Sequence, residues 1–295
     1  MNILVTGGKG QLANEIKTIL ETGKAEISEI KIPNANATFV DIDELDITDL
    51  NQVRKYIKDL KIDVVINCAA YTNVDGCEAH TDDAFKVNAI GARNLAIACE
   101  EVGAKLLHVS TDYVFSGVGT VPKKEFDRPA PVSAYGTTKL SGEEYVRDFC
   151  SKYYIVRTAW LYGYVGHNFV YTMIKLAKAN DKITVVNDQK GNPTNANDLA
   201  YHILKLIQTD EYGLYHCTGE GECSWYDFAK KIVELSGEKC VVEPCTSEEY
   251  KQKFPNSADR PEYSSLDNMM LRCTVGNEMR NWQDAIEVFM KNINK

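Results

Sequence analysis

The chain has 295 residues, 44% of them hydrophobic and 25% charged, enough for a substantial core and ordinary for a globular protein in water. A formal net charge of -9 speaks against a nucleic-acid partner. No apolar run reaches the roughly 18 residues a membrane span needs, and the segment before the first glycines is too short and polar for a signal peptide, so a cytoplasmic protein without membrane contact is expected.

The opening Ile3-Leu4-Val5-Thr6 is a buried-strand run that leads directly into Gly7-Gly8-Lys9-Gly10-Gln11-Leu12-Ala13, after which Ile16, Ile19 and Leu20 recur at helical spacing. Strand, glycine turn and helix in that order fit a dinucleotide-binding turn, with Gly7, Gly10 and the small Ala13 in the three tight positions. Glycines there let backbone N–H groups approach a pyrophosphate at a helix N-terminus. The alternation over Ala25 to Ile32 predicts a strand, followed by a loop at Pro33 to Asn36. Ala37 to Asp41 is a strand ending in an acid, which suits adenosine ribose hydroxyls better than a 2′-phosphate, so NADH is preferred to NADPH. Asp41 lies 31 residues beyond Gly10 where about 20 is usual, which is read as an insertion before the strand.

Asp46 is placed to cap a loop near the adenine, Thr48 or Asp49 to cap a helix from about Leu50 to Leu60. Asp63 to Ala70 is a strand ending in the small residues Ala69 and Ala70, with Tyr71 to Asp75 as the loop beyond it. Helix is predicted from about Ala79 to Val102, punctuated by Asn88 and Gly91 and stopped by Gly103. Lys105 to Ser110 is the next strand; His108 within its apolar run is read as structural. Ser110-Thr111-Asp112-Tyr113 stands at its end. After Pro129 and Pro131, Tyr135 and Lys139 lie four apart on one helix face. A phenol titrates near 10 and a neighbouring ammonium lowers that, so the pair can exchange a proton with a carbonyl or alcohol while hydride moves.

A strand from Tyr153 to Trp160 completes a β-then-α rhythm over about 160 residues, which predicts an α/β fold: a Rossmann-type doubly wound parallel sheet. Beyond it the rhythm changes. Helices near Asn168 to Ala179, Asn197 to Gln208, Trp225 to Leu235 and from about Asn281 mix with strands at Ile183 to Val186 and Tyr212 to Cys217, and with extended chain at Val241 to Pro244. The expected division gives residues 1–158 and about 181–214 to a dinucleotide-binding domain. A smaller interleaved substrate-binding lobe takes about 159–180 and 215–265, and 266–295 form a C-terminal segment. The nine cysteines are scattered without metal-ligand spacing and read as reduced thiols.

These motifs together resemble the extended short-chain dehydrogenase/reductases and, among them, the dTDP-4-dehydrorhamnose reductase family. The resemblance spans nearly the whole chain. Its specific parts are Ser-Thr-Asp-Tyr-Val-Phe from Ser110, Asp-Gln-x-Gly-x-Pro-Thr from Asp188 and Arg-Pro-x-x-Ser-x-Leu from Arg260. It implies reduction of dTDP-6-deoxy-L-lyxo-4-hexulose at C4 by NADH or NADPH. Tyr135 would be the proton donor, Lys139 the residue that tunes it and holds the nicotinamide ribose, and Thr111 the hydroxyl on the keto oxygen. It further implies cofactor contacts from Gly7, Gly10, Gln11, Leu12, Asp41, Asp46, Ile47, Ala69, Ala70 and Tyr71. Nucleotide-sugar contacts are implied from Val74, Thr111, Asp112, Tyr113, Trp160 and Arg260.

The family also admits a homodimer and, in some members, a magnesium ion at a subunit contact whose ligands are not identifiable in this sequence. Two other readings share the scaffold. Another 4-ketoreductase, an epimerase or a dehydratase of nucleotide sugars is one, although the second acid that a dehydratase carries after Asp112 is replaced by Tyr113. A non-catalytic NAD(P)-binding regulatory subunit is the other, which would have no need of the Thr111, Tyr135 and Lys139 trio.

Overall fold

The computed structural model describes residues 1–293. Six strands form one parallel sheet: β1 (Asn2–Thr6), β2 (Asn36–Val40), β3 (Val64–Asn67), β4 (Lys105–Thr111), β5 (Tyr153–Thr158) and, later in the chain, Gly213–His216. Its spatial order places Gly213–His216 at one edge, then β5, β4, β3, β1 and β2. Both faces are covered, which is why the strands carry continuous apolar runs such as Ile3-Leu4-Val5 and Val64-Val65-Ile66. Ile3 and Val5 enter one core with α1 (Gln11–Thr22), while Leu4 enters the opposite core with α2 (Leu50–Asp59). Asp49 caps α2, accepting from the N–H groups of Asn51 and Gln52 at 2.9 and 3.2 Å.

Between β3 and β4 the expected helix begins earlier and is broken into pieces. These are α3 (Val74–Ala79), α4 (Thr81–Phe85), a π-helical turn (Lys86–Gly91) and α5 (Ala92–Val102), which ends on Gly103 in the left-handed conformation. The interruption falls on Asn88 and Gly91, where the sequence is punctuated. Helix α6 (Ala134–Phe149) follows β4. Ser133 caps it, accepting from the Gly136 N–H at 3.1 Å, a cap that contributes about 1 kcal/mol.

Ala25 to Ile32 does not form the expected strand. The segment turns back on itself, with Ala25 N–H donating to Ser28 O and Ile30 N–H to Gly23 O. Ala25, Ile30 and Ile32 lie against the α1 core, so the alternation records a loop draped over apolar surface. Asp41 thus follows the second strand of the sheet, as the sequence implied.

The later chain adds β6 (Leu161–Tyr162), α7 (Phe169–Ala179), β7 (Lys182–Val186), β8 (Lys190–Gly191), β9 (Thr194–Asn195), α8 (Ala196–Leu206) and β10, the strand Gly213–His216. It continues with β11 (Cys223–Ser224), α9 (Trp225–Ser236), β12 (Val241–Cys245), α10 (Ser247–Lys253), α11 (Met269–Cys273) and α12 (Trp282–Ile293). Helix α8 packs on the α1 side of the sheet. β7 pairs with β12, not with the sheet, and its Ile183 and Val185 share a third core with α7, α9 and α12. Residues 182–186 and the last helix therefore pack with α7 and α9 rather than on the six-stranded sheet. All nine cysteines are free thiols. Among the described residues no helix is long and apolar enough to cross a membrane.

Candidate active site

The sheet order reverses at β1, which has β2 on one side and β3 on the other, and a cleft of about 760 Å³ opens at the carboxyl ends of these strands. Every residue singled out above for cofactor or substrate lines this one cleft. At its β1 end the glycine turn is forced by backbone proximity. Gly7 has φ +67°, and a Cβ there would sit 2.9 Å from the Ala69 nitrogen. No side chain caps α1, so its first-turn N–H groups face the cleft without an internal partner. Those two features fit a dinucleotide diphosphate.

Asp41 accepts from the N–H groups of Lys9 (3.1 Å) and Ile42 (2.9 Å), which locks its carboxylate beside the turn. Asp46 closes its own loop, accepting from Thr48 N–H and Oγ1 at 2.9 and 2.7 Å. Asn94, buried on α5, donates to the carbonyls of Ile47 and Thr48 at 3.0 Å and so fixes the wall containing Ile47.

Farther along the cleft stand Thr111, Tyr135 and Lys139. Thr111 Oγ1 donates to Asp112 Oδ1 at 3.0 Å and accepts from Tyr113 N–H at 3.2 Å. The Tyr135 ring meets Tyr113 edge-on, centroids 5.5 Å apart. Burial pushes the Tyr135 phenol above its ordinary value, with the Thr111 hydroxyl acting in the opposite direction. This corrects the expected lowering by Lys139: the Lys139 Nζ donates to the Val109 carbonyl at 2.6 Å, and burial dominates the phenol. Burial also brings Lys139 itself down to about 8, opposed by Glu143 and Cys68. His108 is buried and kept neutral, its Nδ1 2.9 Å from Asn67 Nδ2, and it is not among the residues lining the cleft.

Asp112 is 2% exposed, and its Oδ2 has no partner within the protein. Burial lifts its carboxyl to about 6, against hydrogen bonds from Ser264 and Thr111. A buried acceptor without a protein partner, on a residue that lines the cleft, is suited to a ligand hydroxyl. Arg260 reaches the Tyr113 hydroxyl at 3.4 Å and Asp75 at 3.5 Å, which anchors the late loop over the cleft. Burial raises Tyr113 to about 12 while Arg260 draws it down.

Trp160 lies beyond β5 rather than within it, in the left-handed conformation at φ +47°. Its ring stacks on Trp225 with centroids 3.5 Å apart and planes 7° from parallel.

Trp225 and Asn88 escaped the sequence reading of the site. Asn88 accepts from Tyr71 N–H at 2.8 Å and donates to Thr138 Oγ1 at 3.1 Å, tying the loop after β3 to α6. Its position in a helical interruption is the signal that could have found it. Among the described residues no group of three or more His, Cys, Asp or Glu side chains is placed to hold a metal ion.

The chain is similar to known proteins along its whole length. The family model described as RmlD substrate binding domain matches residues 1–295. The spore coat polysaccharide biosynthesis protein SpsK of Bacillus subtilis is 38% identical over 98% of this chain and 96% of its own. A dTDP-4-dehydrorhamnose reductase structure from Clostridium acetobutylicum is 47% identical, covers 100% of both chains and superposes with a TM-score of 0.93. Another, from Bacillus anthracis in complex with NADP, is 42% identical over 99% of both chains, TM-score 0.91. With its six-stranded parallel sheet, its cleft at the strand ends and this likeness along its whole length, the chain belongs to the RmlD substrate binding domain family, among NAD(P)H-dependent oxidoreductases.

Proposed function

We propose that the chain reduces the C4 keto group of dTDP-6-deoxy-L-lyxo-4-hexulose, giving dTDP-L-rhamnose, with Tyr135 as the proton donor. The observation that carries this reading is the convergence in one cleft of the glycine turn at Gly7 to Gly10 with the hydroxyls of Thr111 and Tyr135 and the Lys139 ammonium. Both structural relatives described above are dTDP-4-dehydrorhamnose reductases, which supports the choice of substrate.

The nicotinamide supplies the hydride when bound. Gly7, Gly10, Gln11 and Leu12 would hold the diphosphate at the start of α1, Asp41, Asp46 and Ile47 would enclose the adenosine half, and Ala69, Ala70 and Tyr71 would line the path to the nicotinamide. The Asp41 carboxylate repels a 2′-phosphate, so NADH is favoured over NADPH, while the NADP held by the Bacillus anthracis relative makes both cofactors part of the test.

As the ketone gains hydride, negative charge builds on its oxygen and needs fixed donors. The Thr111 hydroxyl turns from Asp112 to that oxygen, and the Tyr135 phenol, kept protonated by burial, transfers its proton there. Lys139, charged below about 8, offsets the phenolate left behind and orients the nicotinamide ribose. Asp112 Oδ2 accepts from a sugar hydroxyl, Trp160 with Val74 forms the apolar wall, and Arg260 beside Tyr113 meets the diphosphate of the nucleotide.

Tyr135→Phe tests the assignment. Its kcat should fall about 100-fold or more with cofactor affinity preserved, the scale of a lost general acid; parental turnover would remove Tyr135 from the mechanism.

A further inference from the structure

Behind Lys139 lies a buried charged cluster to which nothing above gives a role. Glu143 is one turn after Lys139 on the same face of α6, and it is 0% exposed. Its Oε1 accepts from Ser110 Oγ at 2.6 Å and Arg157 Nε at 2.9 Å; its Oε2 accepts from Arg157 Nη2 at 2.6 Å. Arg157, 1% exposed on β5, is packed over the Phe115 ring at 5.0 Å, and its Nη1 lies 3.4 Å from His216 Nε2. His216 is held neutral by burial and by Arg157 beside it. Three elements thus meet on one carboxylate: β4 through Ser110, β5 through Arg157, and α6.

Ser110 immediately precedes Thr111, so the bond from Ser110 to Glu143 fixes the strand end bearing Thr111 against the helix bearing Tyr135 and Lys139. The groups that act electrostatically on or with Lys139 are Glu143 from its own helix, Cys68 from the end of β3 and His108 from β4. His108 is neutral and the Cys68 thiol is pushed up to about 12, which leaves the Glu143 carboxylate, ion-paired to Arg157, as the counter-charge among them.

We propose that Glu143 is a positioning residue of the reductase site, binding the Thr111 strand to the Tyr135 helix and supplying the buried counter-charge that keeps Lys139 an ammonium. The proposal rests on the reductase reading and extends it to a residue that touches neither reactant. Arg157 satisfies the rest of the carboxylate, so no acceptor is left open, and of this neutral pair it is the Glu143 side that acts on Lys139.

The test follows Lys139 directly, in protein without cofactor, by the pH titration of its 13Cε signal in lysine-labelled samples. Loss of that signal in Lys139→Met assigns it. The parental midpoint is expected at about 8. In Glu143→Gln it should fall by about one unit or more, whereas Glu143→Asp, which keeps the charge, should hold it where it was. In the loaded enzyme the alkaline limb of kcat should move down with it, and kcat itself should drop about tenfold or more as Thr111 and Tyr135 lose register.

Should Glu143→Gln fail to fold with Arg157 left unpaired, the double variant Glu143→Gln/Arg157→Met takes its place, read against Arg157→Met so that only the carboxylate differs, with the same expectations. An unmoved midpoint or an undiminished kcat in a folded Gln variant overturns the proposal, as does a Glu143→Asp midpoint that falls like that of Gln. Tyr135→Phe, run alongside, separates the two readings. Full turnover there defeats the reductase mechanism, while the Lys139 midpoint still decides the role of the Glu143 charge.

Discussion

The Lys139 ammonium donates to the Val109 carbonyl over 2.6 Å, although Tyr135 lies one turn before it on the same helix face. In the free protein the lysine is anchored to β4 and the phenol is left protonated. That is the starting condition the proposed role of Tyr135 needs, since a proton donor must hold its proton before the keto oxygen takes it. The arrangement holds a charge in a buried place at a cost to stability. Burial depresses Lys139 from its ordinary value to about 8, so the penalty is full below pH 8 and fades as pH rises toward 10.5. Lys139→Met should therefore raise the stability of the free protein at pH 7 by ~2 kcal/mol, after the lost bond to Val109 is counted, with the gain shrinking at pH 10. Its cofactor affinity and kcat should both fall. Chemical denaturation at the two pH values and a cofactor titration check this.

Asp112 runs in the opposite sense. Its folded value is raised from 3.8 to about 6, so its carboxyl costs nothing below about pH 4 and destabilises the fold increasingly as pH climbs through 6. Asp112→Asn should be more stable than the parent by about 3 kcal/mol at pH 7.5 and indistinguishable at pH 3.5 if both remain folded there. Substrate KM should rise, because the open Oδ2 becomes part of a neutral amide. Thermal melts across pH with steady-state kinetics would show both effects.

A third expectation concerns how closely α6 approaches the π-helical turn. A Cβ on Gly142 would lie 2.3 Å from the Asn88 carbonyl oxygen, a backbone atom that cannot step aside. Gly142→Ala should destabilise the protein by about 1–3 kcal/mol, in spite of alanine's better helix propensity. Because Asn88 also holds Tyr71 and Thr138, the same variant should lower kcat; denaturant midpoints and initial rates measure the two losses.

Much of the site was readable because its residues sit where backbone rules fix their placement. Gly7 and Gly10 end a strand and open a helix, Thr111 ends another strand, and Tyr135 with Lys139 share a helix face; period and turn chemistry suffice to position each. What could not be read depends on contacts across the chain. Trp225 meets Trp160 from 65 positions away in sequence, and Glu143 was indistinguishable from a surface acid on an amphipathic helix until Arg157 and Ser110 were seen against it. Ala25 to Ile32 misled for a related reason: alternation reports that one side of a segment is buried, and a draped loop satisfies that as well as a strand. The sign of the Tyr135 shift was missed because helical spacing gives the distance to a charge but says nothing of burial, and burial wins here.

The claim that a nucleotide-linked 4-keto sugar is reduced here is tested most directly by supplying dTDP-6-deoxy-L-lyxo-4-hexulose with NADH and with NADPH, following their oxidation separately and identifying the product. Stoichiometric formation of dTDP-L-rhamnose, with NADH giving the higher kcat/KM, is the predicted result. Binding of both nucleotides without oxidation of either, or formation of a product whose C4 remains a ketone, would contradict it.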